Sequence, residues 1–259
     1  MSDTTPVHAP DGAIPPLRGA ARTVWNDSRH ALSTLYDLFL IALAVNAVCD
    51  LITFFAVRGL PQDSTRTLVI TSLVGVAQAL LLTPYIISVH RFIVLDEVAP
   101  NYFAHFGGER FMRFFGWSLV LTLCFLLPAL LVRGLPINEA ARGLVLTVVA
   151  IAAIIFGLRL SILFPAIAVD APGAKPGNAM ADTKGHAWRI FLLGLLVMLP
   201  FVAVVIFLAI IFAVLLDLAD RETVISTVIG SIIETVLLTT FVVLASRLFG
   251  WLGNHVKQA

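Results

Sequence analysis

Apolar residues run in six blocks along this chain, separated by short polar stretches. Each block is about the length an α-helix needs to cross a hydrocarbon core of roughly 30 Å. The blocks cover about 35–57, 68–90, 114–132, 143–168, 190–216 and 224–246. Within each block the apolar positions are continuous rather than striped. Such helices are wetted by lipid or by one another, not by water along one face. The pattern therefore predicts an all-α polytopic membrane bundle of six transmembrane helices. Pro84, Pro128, Pro165 and Pro200 fall in or near the ends of four blocks. Membrane helices tolerate them as kinks, because neighbours satisfy the freed carbonyls.

Residues 1–20 are rich in Pro, Gly and small polar residues and predict a disordered tail. They carry no apolar segment and cleavage site of the signal-peptide kind. Residues 21–259 then form one six-span domain. Arg22, Trp25, Arg29 and His30 mark 21–34 as an interfacial lead-in to the first span.

Composition agrees with the pattern. Hydrophobic residues make up 59% of the 259 and charged residues 13%, and mean hydropathy is +0.97. A soluble domain carries about 25% charged residues. A net charge of +1 offers no basic face for nucleic acid. Cys49 and Cys124 both lie inside apolar blocks and read as packing residues rather than a disulfide or metal pair. Loop charges set the orientation. Arg18, Arg22, Arg29, Arg91, Arg110, Arg113, Arg159, Lys175, Lys184, Arg189, Arg247 and Lys257 fall on one side, against Arg58, Arg66, Arg133, Arg142 and Arg221 on the other. Both termini are thus expected in the cytoplasm.

Val57-Arg58-Gly59-Leu60-Pro61 recurs letter for letter as Val132-Arg133-Gly134-Leu135-Pro136. The junctions that follow align at nearly the same offset: Pro100 with Pro176, and Arg113-Phe114-Phe115 with Arg189-Ile190-Phe191. In each junction a Pro opens a short segment and a Gly closes it, the asymmetry of a short helix. The expected architecture is three hairpin repeats, the third degenerate at Asp217-Leu218-Ala219-Asp220-Arg221, with a short interfacial helix in each of the two cytoplasmic junctions.

The stretch from Arg159 to Arg189 carries a family resemblance. Arg159, Ser161 and Pro165-Ala166-Ile167-Ala168-Val169-Asp170 resemble an R-x-S-L-x-x-P-A-I-V-x-E run. Asp182-Thr183-Lys184-Gly185-His186-Ala187-Trp188-Arg189 resembles an S-x-x-L-T-x-G-x-x-W-R element. Both belong to the glycerophosphoryl diester phosphodiesterase membrane-domain superfamily and related uncharacterised bacterial inner-membrane proteins. The chain departs from that pattern at Ala179-Met180-Ala181, where the family often carries basic residues. The resemblance implies a polytopic inner-membrane module. It touches the membrane part only, and the phosphodiesterase activity does not carry over.

Polar residues inside the spans are the informative ones, because a charge at the bilayer centre costs about 2.5–3.5 kcal/mol. Counting about 1.5 Å per residue, Asn46, Gln78 and Glu234 fall near mid-depth, and Asp50 shares the face of Asn46 one turn outward. These four form a candidate midplane polar cluster, a substrate or proton site on one reading and interhelical hydrogen bonding on the other. Arg91, Arg110, Arg113, Arg159, Lys184, Trp188 and Arg189 are candidate lipid-headgroup contacts. No catalytic, cofactor or metal motif is present: the six histidines are scattered, and no nucleotide-binding or nucleophile-elbow pattern occurs. The expectation is a non-enzymatic envelope scaffold or accessory protein without cofactor. Its partners would be membrane lipids and another membrane protein or a second copy. The alternative is a small transporter or channel using the cluster around Glu234.

Overall fold

The computed structural model describes residues 13–61, 64–133, 138–215 and 224–258. Regular structure among them is entirely α-helical. The elements are α1 (Leu17–Thr34), α2 (Tyr36–Val57), α3 (Thr65–Leu95), α4 (Glu109–Arg133), α5 (Glu139–Leu160), α6 (Leu163–Ala168), α7 (Pro176–Asp182), α8 (Ala187–Leu215) and α9 (Val224–Leu252). Helices α2, α3, α4, α5, α8 and α9 are long and apolar enough to cross a membrane. Helices α3, α4 and α8 continue through Pro84, Pro128 and Pro200. The predicted second copy of the Val-Arg-Gly-Leu-Pro turn, from Gly134 on, and the degenerate turn at 217–221 lie outside the described residues, as do residues 1–12 of the predicted tail.

Several boundaries differ from the apolar pattern, each for a local reason. The tail ends earlier than residue 20: α1 starts at Leu17, and Ile14 and Ala20 are already buried. Helix α1 is amphipathic, so block hydropathy alone does not mark it as a helix. The fourth span stops at Leu160 rather than 168. There the Ser161 hydroxyl donates to Leu158 O at 2.8 Å, and Thr183 Oγ1, 2.7 Å from Ala179 O, lies 3.0 Å from Arg159 O. The chain turns there into α6, whose Leu163, Pro165, Ala166, Ile167 and Ala168 are buried against α3, α4 and α9.

The two junctions are not both helical. Pro176 opens α7 at its first turn, as Pro prefers. After Pro100 the chain instead forms turns. The Asn101 side chain accepts the N–H of Phe103 at 3.0 Å, a local bond that competes with helix formation.

Helix α9 packs against both α2 and α3, and more extensively than against α8. Helices α4 and α5 form a second pair, and α8 sits beside α5 and α9. Helix α1 wedges between α8 and α9: Trp25 stacks on Phe201 with centroids 5.2 Å apart, and Arg247 Nε donates to Asp27 Oδ2 at 2.6 Å. The tightest packing lies at the end where the two junctions meet both described termini, around Tyr85, Ile87, α6 and Leu244–Leu252.

The chain closes on itself at that end. The Asp182 side chain is 1% exposed. It accepts the backbone N–H groups of Asn254, His255 and Val256, each at 3.0 Å, and contacts His255 Nδ1. Val256 is fully buried. Gly173 lies directly under this strap: a methyl there would collide with the carbonyl oxygens of His255 and Gln258.

Candidate functional site

One face of α9 carries Ser231, Thr235, Thr239 and Ser246, spaced close to whole helical turns. All four are buried, and each meets a polar side chain from α2 or α3. Asn46 Nδ2 donates to Thr235 Oγ1 at 2.8 Å, and Gln78 Nε2 donates to Asn46 Oδ1 at 2.8 Å. Tyr85 Oη lies 2.7 Å from Thr239 Oγ1, and His90 Nδ1 lies 2.7 Å from Ser246 Oγ.

A hydroxyl has one proton to give. Thr235 accepts from the Asn46 amide and donates to Ser231 O at 2.6 Å. Thr239 and Ser246 each have a carbonyl one turn back, Thr235 O and Val242 O, at 2.8 and 2.9 Å, besides the Tyr85 and His90 contacts, in which either end can be the donor. Ser231 differs. Its hydroxyl faces two acceptors, Asp50 Oδ2 at 2.5 Å and Thr227 O at 3.1 Å.

Ser231 also marks where this buried line opens. A cavity of about 510 Å³ lies between α2 and α9, lined by Asp50, Thr53, Phe54 and Val57 on one side and Ser226, Thr227, Gly230, Ser231 and Glu234 on the other. Glu234 is ten residues from the start of α9 and Asp50 seven from the end of α2. At about 1.5 Å per residue, the carboxylates sit roughly 15 and 10 Å in from the helix ends.

The structure thus divides the predicted midplane cluster. Asn46 and Gln78 belong to a hydrogen-bonded network completed by Thr235, with Asn46 and Thr235 fully buried and Gln78 half-buried. Asp50 and Glu234 face the open cavity with Ser231, and Glu234 lies on an exposed side of α9 rather than at the buried interface. Ser231, Thr235, Thr239, Ser246, Tyr85 and His90 complete the line, and hydropathy passes over them. Their signal is the recurrence of Ser and Thr every fourth residue along one apolar block. His90, one of the six scattered histidines of the sequence, is 1% exposed and points into the bundle.

The predicted headgroup contacts also divide. Four of the arginines are engaged within the protein. Arg91, with its side chain 14% exposed, donates to Ala168 O at 3.0 Å and pairs with Glu97 and Asp170. Arg110 grips Asp170 with both Nε and Nη2. Arg113 donates to Ala174 O at 3.0 Å, and Arg159 to Met180 O at 2.7 Å. These bonds tie α3, α4 and α5 to the second junction. Lys184, Trp188 and Arg189 stay exposed, Trp188 stacked on Phe191 at 5.4 Å.

The ion pairs set the local titration. The Arg110 hydrogen bond holds the Asp170 carboxyl below its ordinary range, and the Arg91 hydrogen bond does the same for Glu97. Burial, then the charges of Arg110 and Arg91, push the His105 imidazole down. Burial raises the Asp182 carboxyl, but its backbone and His255 hydrogen bonds outweigh that and leave it lowered.

Among the described residues, no three His, Cys, Asp or Glu side chains converge as metal ligands. The arrangement offers instead two carboxylates in one cavity between two helices of membrane-crossing length, backed by a hydrogen-bonded line of side chains. Comparison of the chain with family models, with curated proteins and with solved structures finds no match.

Proposed function

We propose that this protein is a small membrane carrier that admits protons or small cations to the cavity between α2 and α9. One observation carries this reading: Asp50 and Glu234 face the same cavity of about 510 Å³ inside helices of membrane-crossing length. Ionisable groups at such depth are costly and are retained where they meet a pathway or a counter-charge. Proteoliposomes with a pH-sensitive dye inside test it. An imposed gradient should collapse faster with the wild-type chain than with Glu234→Gln, with both proteins equally folded. Equal rates would remove the reading.

The scaffold reading draws on a different observation. The Thr235, Thr239 and Ser246 hydroxyls are each satisfied by their own helix, so the buried line also serves as interhelical glue. A scaffold would keep its role with Glu234→Gln and would co-purify with a membrane-protein partner or a second copy.

The finer architecture belongs to the same proposal. The chain sits in a bacterial inner membrane with both termini cytoplasmic, in keeping with the Lys and Arg bias. The hairpin repeat is supported by matched backbone features at the junctions. Asp96 and Asp170 adopt φ of 56° and 53°, and Gly107 and Gly185 adopt 79° and 82°. Left-handed aspartates are uncommon outside turns, and the two pairs recur 74 and 78 residues apart, near the offset of the sequence match, which favours duplication. The resemblance to the phosphodiesterase membrane-domain superfamily fits such a module, with α7 at the interface.

A further inference from the structure

The arginines that remain outward-facing on the first helix form a surface of their own. Arg18, Arg22 and Arg29 are exposed. Spacings of four and seven residues put them on one face of α1. The opposite face, Ala20, Ala21, Val24, Ser28 and Ala31, is buried in the bundle. The acid on this helix within their reach, Asp27, is already paired with Arg247. Trp25 flanks the arginine face and stacks on Phe201.

The seat of α1 sets the level of that surface. Asp27 pairs with Arg247, five residues from the end of α9, and His30 packs on Phe92, three residues from the end of α3, with ring centroids 5.3 Å apart. Helix α1 thus lies level with the ends of these membrane-crossing helices, where hydrocarbon gives way to headgroups. Three guanidinium groups on its outer face cannot rest in hydrocarbon. Their stems snorkel and their heads meet phosphate. Arginine suits phosphate, because its planar fork donates two bonds at once. By contrast, Arg91, Arg110, Arg113 and Arg159 are spent on protein acceptors.

We infer that the outer face of α1, through Arg18, Arg22 and Arg29, is a docking surface for anionic phospholipid headgroups of the leaflet on the junction side. The Asp27–Arg247 and His30–Phe92 contacts set the depth of the helix, and the arginines select the charge of the lipid. This rests on the membrane reading of the six helices and is independent of the carrier reading, so either can fail alone.

The test uses the full chain in nanodiscs of mixed phosphatidylcholine and phosphatidylglycerol, followed by native mass spectrometry of the lipid retained. Wild type should retain phosphatidylglycerol in preference to phosphatidylcholine. At roughly a fivefold preference per basic residue near the surface, Arg18→Gln/Arg22→Gln/Arg29→Gln should lose most of it. The lysine triple variant should keep much of it. A glutamine triple variant that retains as much anionic lipid as wild type would overturn the proposal. So would retention of an acidic protein on this face in place of lipid. Hydrogen exchange on the wild-type chain covers the case of a variant that does not fold. Amides of α1 should exchange more slowly in phosphatidylglycerol nanodiscs than in phosphatidylcholine, and equal exchange would again overturn it.

Discussion

Asn46 and Thr235 are 189 residues apart in sequence and 2.8 Å apart in space, joined by one hydrogen bond from α2 to α9. Gln78 of α3 completes the set by donating to the other end of the same amide. Asn46 is fully buried, so three helices share one polar contact through a side chain shielded from solvent.

Replacing Asn46 with Leu should therefore destabilise the bundle by about 1 kcal/mol, because Gln78 loses its acceptor. Thr235→Val should cost a similar amount. A double-mutant cycle in mixed micelles should give a coupling of about 0.6 kcal/mol, the usual size for such bonds in membranes. Strictly additive single effects would contradict the contact.

The strap at the chain end makes a second prediction. Gly173→Ala places a methyl against the carbonyls of His255 and Gln258, and Asp182→Asn removes the charge that holds three amides. Either change should speed hydrogen exchange at Asn254–Val256 by at least about tenfold, equivalent to about 1.4 kcal/mol of local opening. Exchange within α2 and α9 should stay as in wild type. An unchanged strap in both variants would contradict the geometry.

Acid should loosen the junction that Asp170 organises. Asp170 and Glu97 have lowered folded pKa values, so their contribution is present at neutral pH and is lost as pH falls through those values. His105 also has a lowered folded pKa, which means that the unfolded chain binds its proton more readily. Its contribution is present above about 6.5 and fades as pH drops below that. The three groups thus act with one sign: junction stability rises with pH from the acid range to about 6.5. Thermal unfolding followed between about pH 4 and 7 should show this. Asp170→Asn, which also breaks the Arg110 pair, should flatten the acid limb of the profile.

Most of the architecture was readable in the chain, because six apolar blocks leave a helix little choice but to cross a bilayer. The exceptions follow from what hydropathy averages away. Helix α1 spreads its apolar residues over one face, so block averages register Arg18, Arg22 and Arg29 and pass over Ala20, Val24 and Ala31. The break after Leu160 falls where the Arg159 carbonyl meets Thr183, 24 residues on in the chain, a contact that no local pattern announces. Asn46, Gln78, Asp50 and Glu234 stand out as polar letters in apolar blocks, and the structure divides them between the Asn46–Thr235–Gln78 network and the cavity that Asp50 and Glu234 line. Ser231, Thr235, Thr239 and Ser246 are close to neutral on any hydropathy scale, so the line connecting that cluster was invisible. The roles of Arg91, Arg110, Arg113 and Arg159 were hidden for another reason. A basic residue at a helix end looks the same whether its partner is a lipid phosphate or the carbonyl of Ala168.

The most direct measurement is thiol labelling from water at the cavity between α2 and α9. In a chain with Cys49 and Cys124 replaced by Ala, a cysteine at Gly230, on the cavity wall, should react with a membrane-impermeant maleimide in proteoliposomes. A cysteine at Ile232, also exposed but outside the cavity lining, should not react, because a thiol against lipid does not ionise. Reaction at Gly230 alone is the predicted result and gives Asp50 and Glu234 a wet cavity. Equal protection of both positions would contradict it and leave the two carboxylates without access to water.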